Sequence, residues 1–514
     1  MIYDIALIVY FLGIVIGLWF VFKKAGVAPW KALVPIYNVV VWVQLCTKKN
    51  RHWAWYIGFL IPGVNIFTFL LMVQETAKCF HRTRFWEQLV AILVPCFYLP
   101  LLGLGKWKYF SPETDEREKV GEVRDWTEAI VFALIAAVLI RGFVFELFSI
   151  PSSSMEKSLL VGDHLMVSKL AYGPRVIMTP LALPLMHNTI VGTQMKSYLD
   201  WPSLPYHRYP GYSHVKRFDA VVFNFPAGDT VLGNFLDGKY TYYEAVQEYG
   251  REAVLSGKAY SPVLGPLGKI VVRPIDKREN YIKRCMGLPG EDLQIIDRVV
   301  HINGKPVELP QDAQFEYTVL IAPGFNGEKI LNECGVSSED LGGAYMGMDA
   351  AGNNAYHVPL SSKIVDKLKA KSVVVSIEHV DFPVDSAETL FPNAPGFYNS
   401  VDNYGPIHIP AKGEVLHLTL DNLPLYRRVI TAYEGNTLEL RDGQIVINGQ
   451  PTDTYTVKQN YYWMMGDNRH HSQDSRFWGF VPEDHIVGKA MRVLWSIGEG
   501  EGRIGRIFRN ANKK

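Results

Sequence analysis

The sequence predicts an N-terminal α-helical membrane region followed by a mainly-β region, into which a second β domain is inserted. Three observations predict this fold class. Nearly all long apolar runs of the 514-residue chain lie within residues 1–148. The remainder alternates apolar and polar residues over short stretches that end in turn-forming residues, as β-strands do. Two similar hairpin sequences flank residues 307–434, which marks that segment as an insertion.

The N-terminal module, residues 1–105, contains three predicted membrane spans and one interfacial segment. Crossing a ~30 Å hydrocarbon core takes about 20 mainly apolar helical residues. Runs of about this length cover residues 3–22, 53–74 and 88–105. Residues 30–46 contain Pro35 and Asn38 and are predicted to be interfacial or re-entrant.

A charged connector, residues 106–127, leads to a fourth predicted span at residues 128–148. Basic residues cluster after the first span, before the second span and in the connector, and the positive-inside rule places these segments in the cytoplasm. Four spans then place the rest of the chain on the extracytoplasmic side, although the loop 78–84 also carries three basic residues. Arg141, near the outer end of the fourth span, is expected to extend to the interface.

Composition argues against several classes of function. The 52 basic and 51 acidic residues balance, so no global charge favours nucleic acid as a partner. No cysteine spacing fits a metal site, and we expect neither metal nor cofactor. Only Cys285 and Cys334 lie outside the membrane part, and the apolar strand around Cys285 favours two inert thiols over a disulfide.

Three consecutive serines, Ser152 to Ser154, directly follow the fourth predicted span. A serine run is most often a solvated linker. Here Leu-Leu-Val and Gly-Asp follow at 159–163, which predicts a strand entering a turn. The hydroxyl groups are therefore expected in an ordered turn close to a bilayer surface.

Further strands are predicted at residues 163–172 and 217–226, separated by an irregular loop at 173–212 that is rich in Pro and Tyr. A short helix is predicted at 240–252.

An internal repeat relates residues 290–306 to residues 435–451 without gaps. Both copies alternate apolar and polar residues and contain an Asn-Gly turn, which is a strong hairpin signal. Extending the alignment backward places Lys283 opposite Arg428, and arginine stays protonated. A duplicated hairpin with one chemically active copy and two hairpins of a common type explain the pattern equally well.

Four segments carry a resemblance to a known family. They are Pro-Ser-Ser-Ser-Met at 151–155, the apolar strand at 217–226, Tyr-Ile-Lys-Arg-Cys-Met-Gly-Leu-Pro-Gly-Glu-Asp at 281–292 and the polar loop with apolar flanks at 464–482. In this order they resemble the sequence boxes of bacterial type I signal peptidases, the Ser-Lys proteases that remove secretory signal peptides. The resemblance covers about 126–226, 278–305 and 440–498.

The resemblance also implies a domain arrangement. Residues 149–306 and 435–498 would form one catalytic β domain of the signal peptidase type, with an extra insertion at 227–277. Residues 307–434 would be an inserted, non-catalytic β domain. The basic tail at 499–514 would either contact anionic lipid or fray.

The chemistry requires a base, because a serine hydroxyl is a weak nucleophile. No His-Asp arrangement lies near the serines. A lysine serves only if it is neutral near pH 7, and burial lowers its pKa from about 10.4; a drop of roughly 3 units corresponds to about 4 kcal/mol. Lys283 lies in an apolar strand that suits this, although strand alternation could also expose it to solvent.

The resemblance implies a role for individual residues. Ser154 would be the nucleophile and Lys283 the general base. The oxyanion hole would consist of the Ser154 N–H and the Ser152 hydroxyl. Ser472 would orient the lysine amine, and Tyr281, Phe223 and Met464 would bury it. Asp474 and Arg476 would form a structural ion pair. Substrate pockets for small side chains would be lined by Phe148, Ile150, Met155, Leu159, Val222, Tyr281 and Ile282.

The function that follows is a membrane-bound signal peptidase I, cleaving signal peptides from exported preproteins after small residues. Its expected place is the cytoplasmic membrane, as a multi-pass protein with an extracytoplasmic catalytic domain. Expected partners are signal peptides, membrane lipid and the secretion translocon. The alternatives are a self-cleaving Ser-Lys protease and a non-catalytic membrane scaffold of similar fold. The chain departs from the family at 157–159, where Lys-Ser-Leu replaces the usual Pro-Thr-Leu and puts the pocket shape in question.

Overall fold

A computed structural model describes most of the chain, and the chain divides into two compact units, Met1–Ile140 and Arg141–Lys514. The described residues are 2–60, 64–113, 122–193, 195–226, 230–232, 245, 248–262, 265–382, 390–497 and 503–512.

The first unit is helical, and α7 continues from it into the second unit. Its α-helices are α1 (Ile2–Lys24), α2 (Tyr37–Cys46), α3 (His52–Leu60), α4 (Val64–Lys78), α5 (Phe85–Leu93), α6 (Pro95–Leu104) and α7 (Glu122–Phe143), with 3-10 turns at Pro29–Leu33 and Lys49–Arg51. Helices α1 and α6 pack closely, since a Cβ added at Gly103 would lie 2.3 Å from the Phe20 Cβ. The Lys24 amine donates to the Trp107 carbonyl at 2.7 Å.

The predicted spans at 53–74 and 88–105 are each represented by two shorter helices. The second breaks at Val94, whose extended φ of −135° fits its place before Pro95, because a residue before proline avoids helical geometry. Among the described residues, no helix combines the length and the hydropathy needed to cross a membrane.

The second unit is mainly β, as the sequence predicts. Its strands are β1 (Phe145–Ser149), β2 (Asp163–Ser168), β3 (Ala220–Asn224), β4 (Thr230–Leu232), β5 (Tyr260–Ser261), β6 (Gly265–Pro266), β7 (Ile270–Val272), β8 (Asn280–Gly287), β9 (Asp292–Ile296), β10 (Val299–Ile302), β11 (Lys305–Pro306), β12 (Gln314–Ile321), β13 (Tyr345–Met348), β14 (Asn354–Ser361), β15 (Val374–His379), β16 (Tyr404–His408), β17 (Val415–His417), β18 (Leu438–Arg441), β19 (Gln444–Ile447), β20 (Gln450–Pro451), β21 (Thr454–Thr456), β22 (Tyr461–Met465), β23 (Val481–Pro482) and β24 (Ile486–Ser496). The α-helices of its described residues, apart from the end of α7, are α8 (Arg251–Leu255), α9 (Gly327–Cys334), α10 (Ser338–Leu341), α11 (Ser362–Lys369), α12 (Leu423–Arg428) and α13 (Ser475–Trp478).

A seven-stranded sheet of order β1-β2-β24-β3-β8-β22-β23 forms the centre of this unit. Adjacent strands run antiparallel. The described residues of the loop at 173–212 form only isolated bridges, in line with the predicted irregular loop. The helix predicted at 240–252 falls mostly outside the described residues.

The fourth predicted span does not extend to residue 148. Helix α7 ends at Phe143, and residues 145–149 are strand β1, paired with β2. Glu146 points inward and forms ion pairs with Arg141 at 2.6 Å and Lys169 at 2.8 Å. Arg141 therefore pairs with a carboxylate, and its extension to an interface stays a prediction. The two cationic partners explain how strand β1 tolerates a buried acid.

The two repeat copies fold alike. Strands β9-β10-β11 and β18-β19-β20 form equivalent three-stranded hairpins. Asn303 and Asn448 both lie at positive φ and accept from the backbone eleven residues upstream, at 2.9 and 3.0 Å. The likeness ends there, because Lys283 lies in strand β8 and Arg428 in helix α12. The backward extension of the repeat is therefore wrong.

Residues 307–434 contain helices as well as strands. The sheet β13-β14-β12-β15 packs with α9 and α11 around a core of its own. Helix α11 buries Ile364, Val365 and Leu368, the face that helical spacing places on one side. Residues 314–379 lie within the predicted insertion and contain helices as well as strands, and we call them the inserted α/β segment. Cys334 lies in its core and is a free thiol, as is Cys285 in the central sheet.

The described part of the C-terminal tail is ordered on the domain. Arg506 is buried and forms an ion pair with Asp163 at 2.5 Å. The Asn512 side chain accepts from the Ala220 N–H at 2.7 Å. Fraying of residues 503–512 is therefore excluded, because their polar groups have partners on the sheet.

Candidate active site

Ser154 lies in a tight turn between β1 and β2. The 3-10 turn Ser153–Met155 is closed by a hydrogen bond from Glu156 N to the Ser153 carbonyl at 2.9 Å, and Leu159 N bonds the Met155 carbonyl at 2.8 Å. We call residues 153–159 the nucleophile turn. Most of its side chains are buried, with Ser153 exposed and Lys157 half-buried, and Ser154 is 9% exposed.

Lys283 is brought to this turn by the centre of the sheet. Strand β8 lies between β3 and β22, and Val221 is the neighbour of Lys283 across β3. The Lys283 Nζ and the Ser154 Oγ are hydrogen-bonded at 2.6 Å. Lys283 is only 3% exposed, so the solvated alternative for this lysine is excluded.

Burial lowers the pKa of Lys283 from 10.5 to about 8. Desolvation is the main cause, because it disfavours the charged amine. The carboxylates of Asp474 and Asp467 act in the opposite direction, and the Arg476 guanidinium adds to the lowering. About a tenth of the amine is therefore neutral at pH 7, far more than for a solvated lysine.

Aromatic and sulfur-containing side chains surround the lysine. Phe223 and Met464 are fully buried, and Phe223 is opposite Tyr281 in the β3–β8 register. The Lys283 Nζ lies 5.7 Å from the centre of the Tyr281 ring. Trp478 packs edge-on against Tyr281 at 5.3 Å and extends this apolar wall. Of the three residues predicted to bury the base, Tyr281 lies beside the amine, and Phe223 and Met464 belong to the apolar cluster against which Tyr281 packs.

Two buried ion pairs hold the loop beyond β22. Arg284 contacts Asp467 at 2.6 Å, and Arg476 contacts Asp474 at 2.9 Å. Burial opposes ionisation of both aspartates, but the guanidinium groups outweigh it and lower the pKa of each carboxyl. The Asp474 carboxylate also accepts from Gly466 N at 3.0 Å, which ties the ends of the loop together.

Ser472 is buried beside the nucleophile but does not bond the lysine. Its hydroxyl has no hydrogen-bond partner among the described residues. It lies against Gly466, where an added Cβ would be 2.2 Å from the Ser472 Oγ and 2.6 Å from the Ser154 carbonyl oxygen. Ser472 therefore lies close to Ser154 but makes no hydrogen bond to the Lys283 amine. Its role in orienting the amine stays a prediction.

The residues predicted for the oxyanion hole and the pockets surround the same turn. Ser152 is exposed and precedes the 3-10 turn. Six of the seven pocket candidates share one apolar cluster, in which four are buried and two are partly buried: Ile150, Met155, Leu159, Val222, Phe148 and Ile282. The seventh, Tyr281, packs against a separate apolar cluster.

Lys157 adopts a left-handed φ of +66°. Proline cannot adopt this angle, because its ring holds φ near about −65°. The departure from the family pattern therefore changes the backbone as well as the side chain.

Asn468 is a site residue that sequence reasoning missed. Its backbone N–H donates to the Ser154 carbonyl at 3.1 Å, and its side-chain amide donates to the Ser153 carbonyl at 3.3 Å. Backbone carbonyl groups are present at every residue, so the sequence does not reveal these hydrogen bonds. The only sequence feature that indicates a site role for Asn468 is its position between Asp467 and Arg469.

The family model described as "Signal peptidase, peptidase S26" matches residues 123–321 and 452–495. These residues include the nucleophile turn, Lys283 and the loop of Asp467 and Ser472. This part of the chain is similar to the signal peptidase family S26. A second model, described as a family of unknown function (DUF5684), matches residues 30–112.

Similar proteins agree with the family. Signal peptidase I of Haemophilus influenzae is 26% identical over 446 residues, which are 85% of this chain and 88% of the relative. Signal peptidase I of Buchnera aphidicola subsp. Acyrthosiphon pisum is 22% identical over 381 residues, covering 73% and 77%. Signal peptidase I of Aquifex aeolicus is 57% identical over 42 residues, covering 8% and 16%. The predicted recognition is confirmed.

Proposed function

We propose that the protein cleaves signal peptides from exported preproteins, with Ser154 as nucleophile and Lys283 as general base. The observation that carries this proposal is the 2.6 Å hydrogen bond between their reactive atoms, inside a pocket that lowers the pKa of the lysine. A general base must be within hydrogen-bond reach of the proton that it removes. The family and its relatives named signal peptidase I support the reaction class.

The proton and the acyl group move in two stages. Neutral Lys283 takes the hydroxyl proton while the Ser154 Oγ attacks the scissile carbonyl. The lysine ammonium then protonates the departing amine, which releases the mature chain and leaves an acyl ester on Ser154. Water attacks the ester, with Lys283 first accepting its proton and then returning a proton to Ser154 Oγ as the signal peptide leaves.

Two donors would stabilise the negative charge that develops on the carbonyl oxygen. These are the Ser154 N–H and the Ser152 hydroxyl, and Ser152 is exposed and therefore free to turn toward a bound peptide. The preprotein would bind as an extended strand, with its small side chains in the apolar cluster around Ile150 and Val222. Because these walls are already packed, only short side chains fit.

We also assign the enzyme to the cytoplasmic membrane, as a multi-pass protein with its catalytic unit outside. The relatives named signal peptidase I support this. Val191 and Trp201 are more than four-fifths exposed in the loop at 173–212, and lipid would accommodate such side chains. Carbonate extraction of cell membranes tests the assignment, and release of the full chain into the soluble fraction would overturn it.

The catalytic assignment is tested with the full chain in detergent and a preprotein that has an Ala-x-Ala cleavage site. Ser154→Ala and Lys283→Arg should each lower the rate by roughly a thousandfold or more. The matched controls, Ser153→Ala and Lys277→Arg, should keep wild-type activity because neither side chain contacts the reacting atoms. Normal processing by Lys283→Arg would rule out the lysine base. A wild-type chain that cleaves nothing would favour the scaffold alternative.

A further inference from the structure

The inserted α/β segment contacts the nucleophile turn directly. Lys157, three positions after Ser154, forms an ion pair with Asp340 of helix α10 at 3.2 Å. Their side chains are only 16% and 13% exposed, so water screens this pair less than an ordinary surface pair. A residue 183 positions away in the sequence therefore contacts the turn that carries the nucleophile.

A second contact links the same segment to the support of Ser154. Gln314, the first residue of β12, forms two backbone hydrogen bonds with the loop after β22. Its N–H donates to the Asp467 carbonyl at 2.8 Å, and its carbonyl accepts from Arg469 N at 2.9 Å. Between those two loop residues lies Asn468, which donates to the Ser154 carbonyl. The inserted α/β segment thus borders the nucleophile from two sides of the turn.

The backbone at Lys157 needs such support. A non-glycine residue at φ +66° is strained by about 1–2 kcal/mol and persists only where neighbouring contacts enforce it. The Lys157–Asp340 ion pair supplies one such contact at the strained residue itself.

We infer that the Lys157–Asp340 ion pair is a positioning contact, through which the inserted α/β segment holds the nucleophile turn at the distance that the Ser154–Lys283 hydrogen bond requires. The inference rests on the proposed function and adds two positioning residues to it. A displacement of about 1 Å at the reacting atoms is enough to slow catalysis strongly. The pair therefore acts on the chemical step and not on substrate affinity.

The test compares Lys157→Met, Asp340→Asn, the double variant and the reversed pair Lys157→Asp with Asp340→Lys. Each single variant should lower kcat about threefold to fivefold, the effect expected for one partly buried ion pair, with KM unchanged. The double variant should be no slower than either single variant, because the two residues share one interaction. Lys157→Arg should keep wild-type activity, and the reversed pair should recover at least part of it.

Two features separate positioning from other effects. Removal of the Lys157 charge would raise the pKa of Lys283 and removal of the Asp340 charge would lower it, so a purely electrostatic role shifts the two pH profiles in opposite directions. We therefore measure kcat at about pH 9.5, where the lysine is mostly neutral in both variants. Lys371→Met and Glu333→Gln, which break an exposed ion pair of the same segment, are matched controls for stability.

The outcomes are distinct. Unchanged kcat in both single variants, additive losses in the double variant, or a loss expressed in KM alone would overturn the positioning role. Asp340→Asn, which leaves Lys157 and its strained backbone in place, decides the question if Lys157→Met does not fold: full kcat in this variant overturns the inference. If wild type itself does not cleave while remaining folded, the proposed function fails, and the inference fails with it. If Ser154→Ala abolishes activity and the ion-pair variants keep full activity, the inference is wrong and the proposed function stands.

Discussion

At position 283, burial and carboxylates act on one ammonium group in opposite directions. Burial lowers the pKa, and the charges of Asp474 and Asp467 raise it. Each carboxylate already has an arginine partner, Arg476 or Arg284, so much of its field at the lysine is cancelled. The effect of desolvation on the lysine pKa is therefore larger than that of the two carboxylates. The arginine partners thus keep the lysine amine from acting as the counter-ion of Asp474 or Asp467.

The pH dependence of catalysis follows from this balance. Because only the neutral amine accepts a proton, kcat/KM should fall about tenfold for each pH unit below about 8 and level off above it. Initial rates on a signal-peptide substrate between about pH 6 and about pH 10 measure this. Arg476→Met removes a charge that lowers the lysine pKa, so its rising limb should move to higher pH. A flat profile below pH 8 in wild type would contradict the lysine base.

Burial of Lys283 should also reduce stability. Its pKa is about 8 in the folded protein against 10.5 ordinarily, so the unfolded chain binds more protons between these values. The free energy of unfolding of wild type should therefore rise with pH from 8 to 10.5. Below pH 8, Lys283→Met should be more stable than wild type by about 3 kcal/mol, and the advantage should vanish near pH 10.5.

Urea titrations of wild type and Lys283→Met at several pH values provide the measurement. Lys363→Met is the control, because that side chain is half exposed and its loss should change the free energy of unfolding by less than about 0.5 kcal/mol. Equal free energies of unfolding of Lys283→Met and wild type at pH 7 would show that burial of the amine does not reduce stability.

At the residue scale, the sequence predicts the groups whose chemistry is unusual for their setting. A serine in an apolar-flanked turn and a lysine in an apolar strand stand out, and the structure places them in contact. The contacts of Asn468 and Lys157 are not predictable from the sequence, because their partners are carbonyl groups and an aspartate from a remote segment. The resemblance predicts that Ser472 lies near the site. The position of its hydroxyl depends on packing against Gly466, which the sequence does not reveal.

At the element scale, the loop after β22 positions the nucleophile through Asn468. Asn468→Asp keeps the shape but replaces the amide donor with an acceptor facing the Ser153 carbonyl, which breaks the 3.3 Å hydrogen bond. We expect kcat to fall roughly fivefold with little change in KM, since about 1 kcal/mol of positioning is lost. Steady-state kinetics test this against Asn326→Asp, which keeps the side-chain cap of helix α9. Equal losses in both variants would point to a general effect on folding.

Elements with local signals are the ones that the sequence predicts well. The paired hairpins follow from their Asn-Gly turns, and the strand at β3 follows from its apolar run. The sequence predicts strand β1 wrongly as the end of a membrane span, because Glu146 is its only charged residue. The two ion-pair partners of Glu146, Arg141 and Lys169, lie outside the strand. The helices at 307–434 are missed for lack of long periodic runs.

At the scale of the whole molecule, three separate parts of the chain hold the nucleophile turn. The loop after β22 contributes Asn468, the inserted α/β segment contributes Asp340, and the C-terminal segment contributes Arg506, which donates to the Ser158 carbonyl at 3.1 Å. These parts lie far apart in the sequence. A turn of seven residues would not maintain this geometry alone, so the reactive distance depends on the complete fold of the second unit.

The C-terminal segment offers the sharpest test of this view. Arg506 pairs with Asp163, which is fully buried, so Arg506→Met leaves a buried carboxylate unpaired and should cost about 3 kcal/mol of stability. The double variant with Asp163→Asn removes that charge and should regain part of the stability, but it still lacks the donor to Ser158. We therefore expect its kcat to stay several-fold below wild type while its thermal midpoint recovers. Arg492→Met, which loses an exposed contact of the same segment, should change neither quantity. If activity and thermal midpoint recover together in the double variant, the tail stabilises the domain without positioning Ser154.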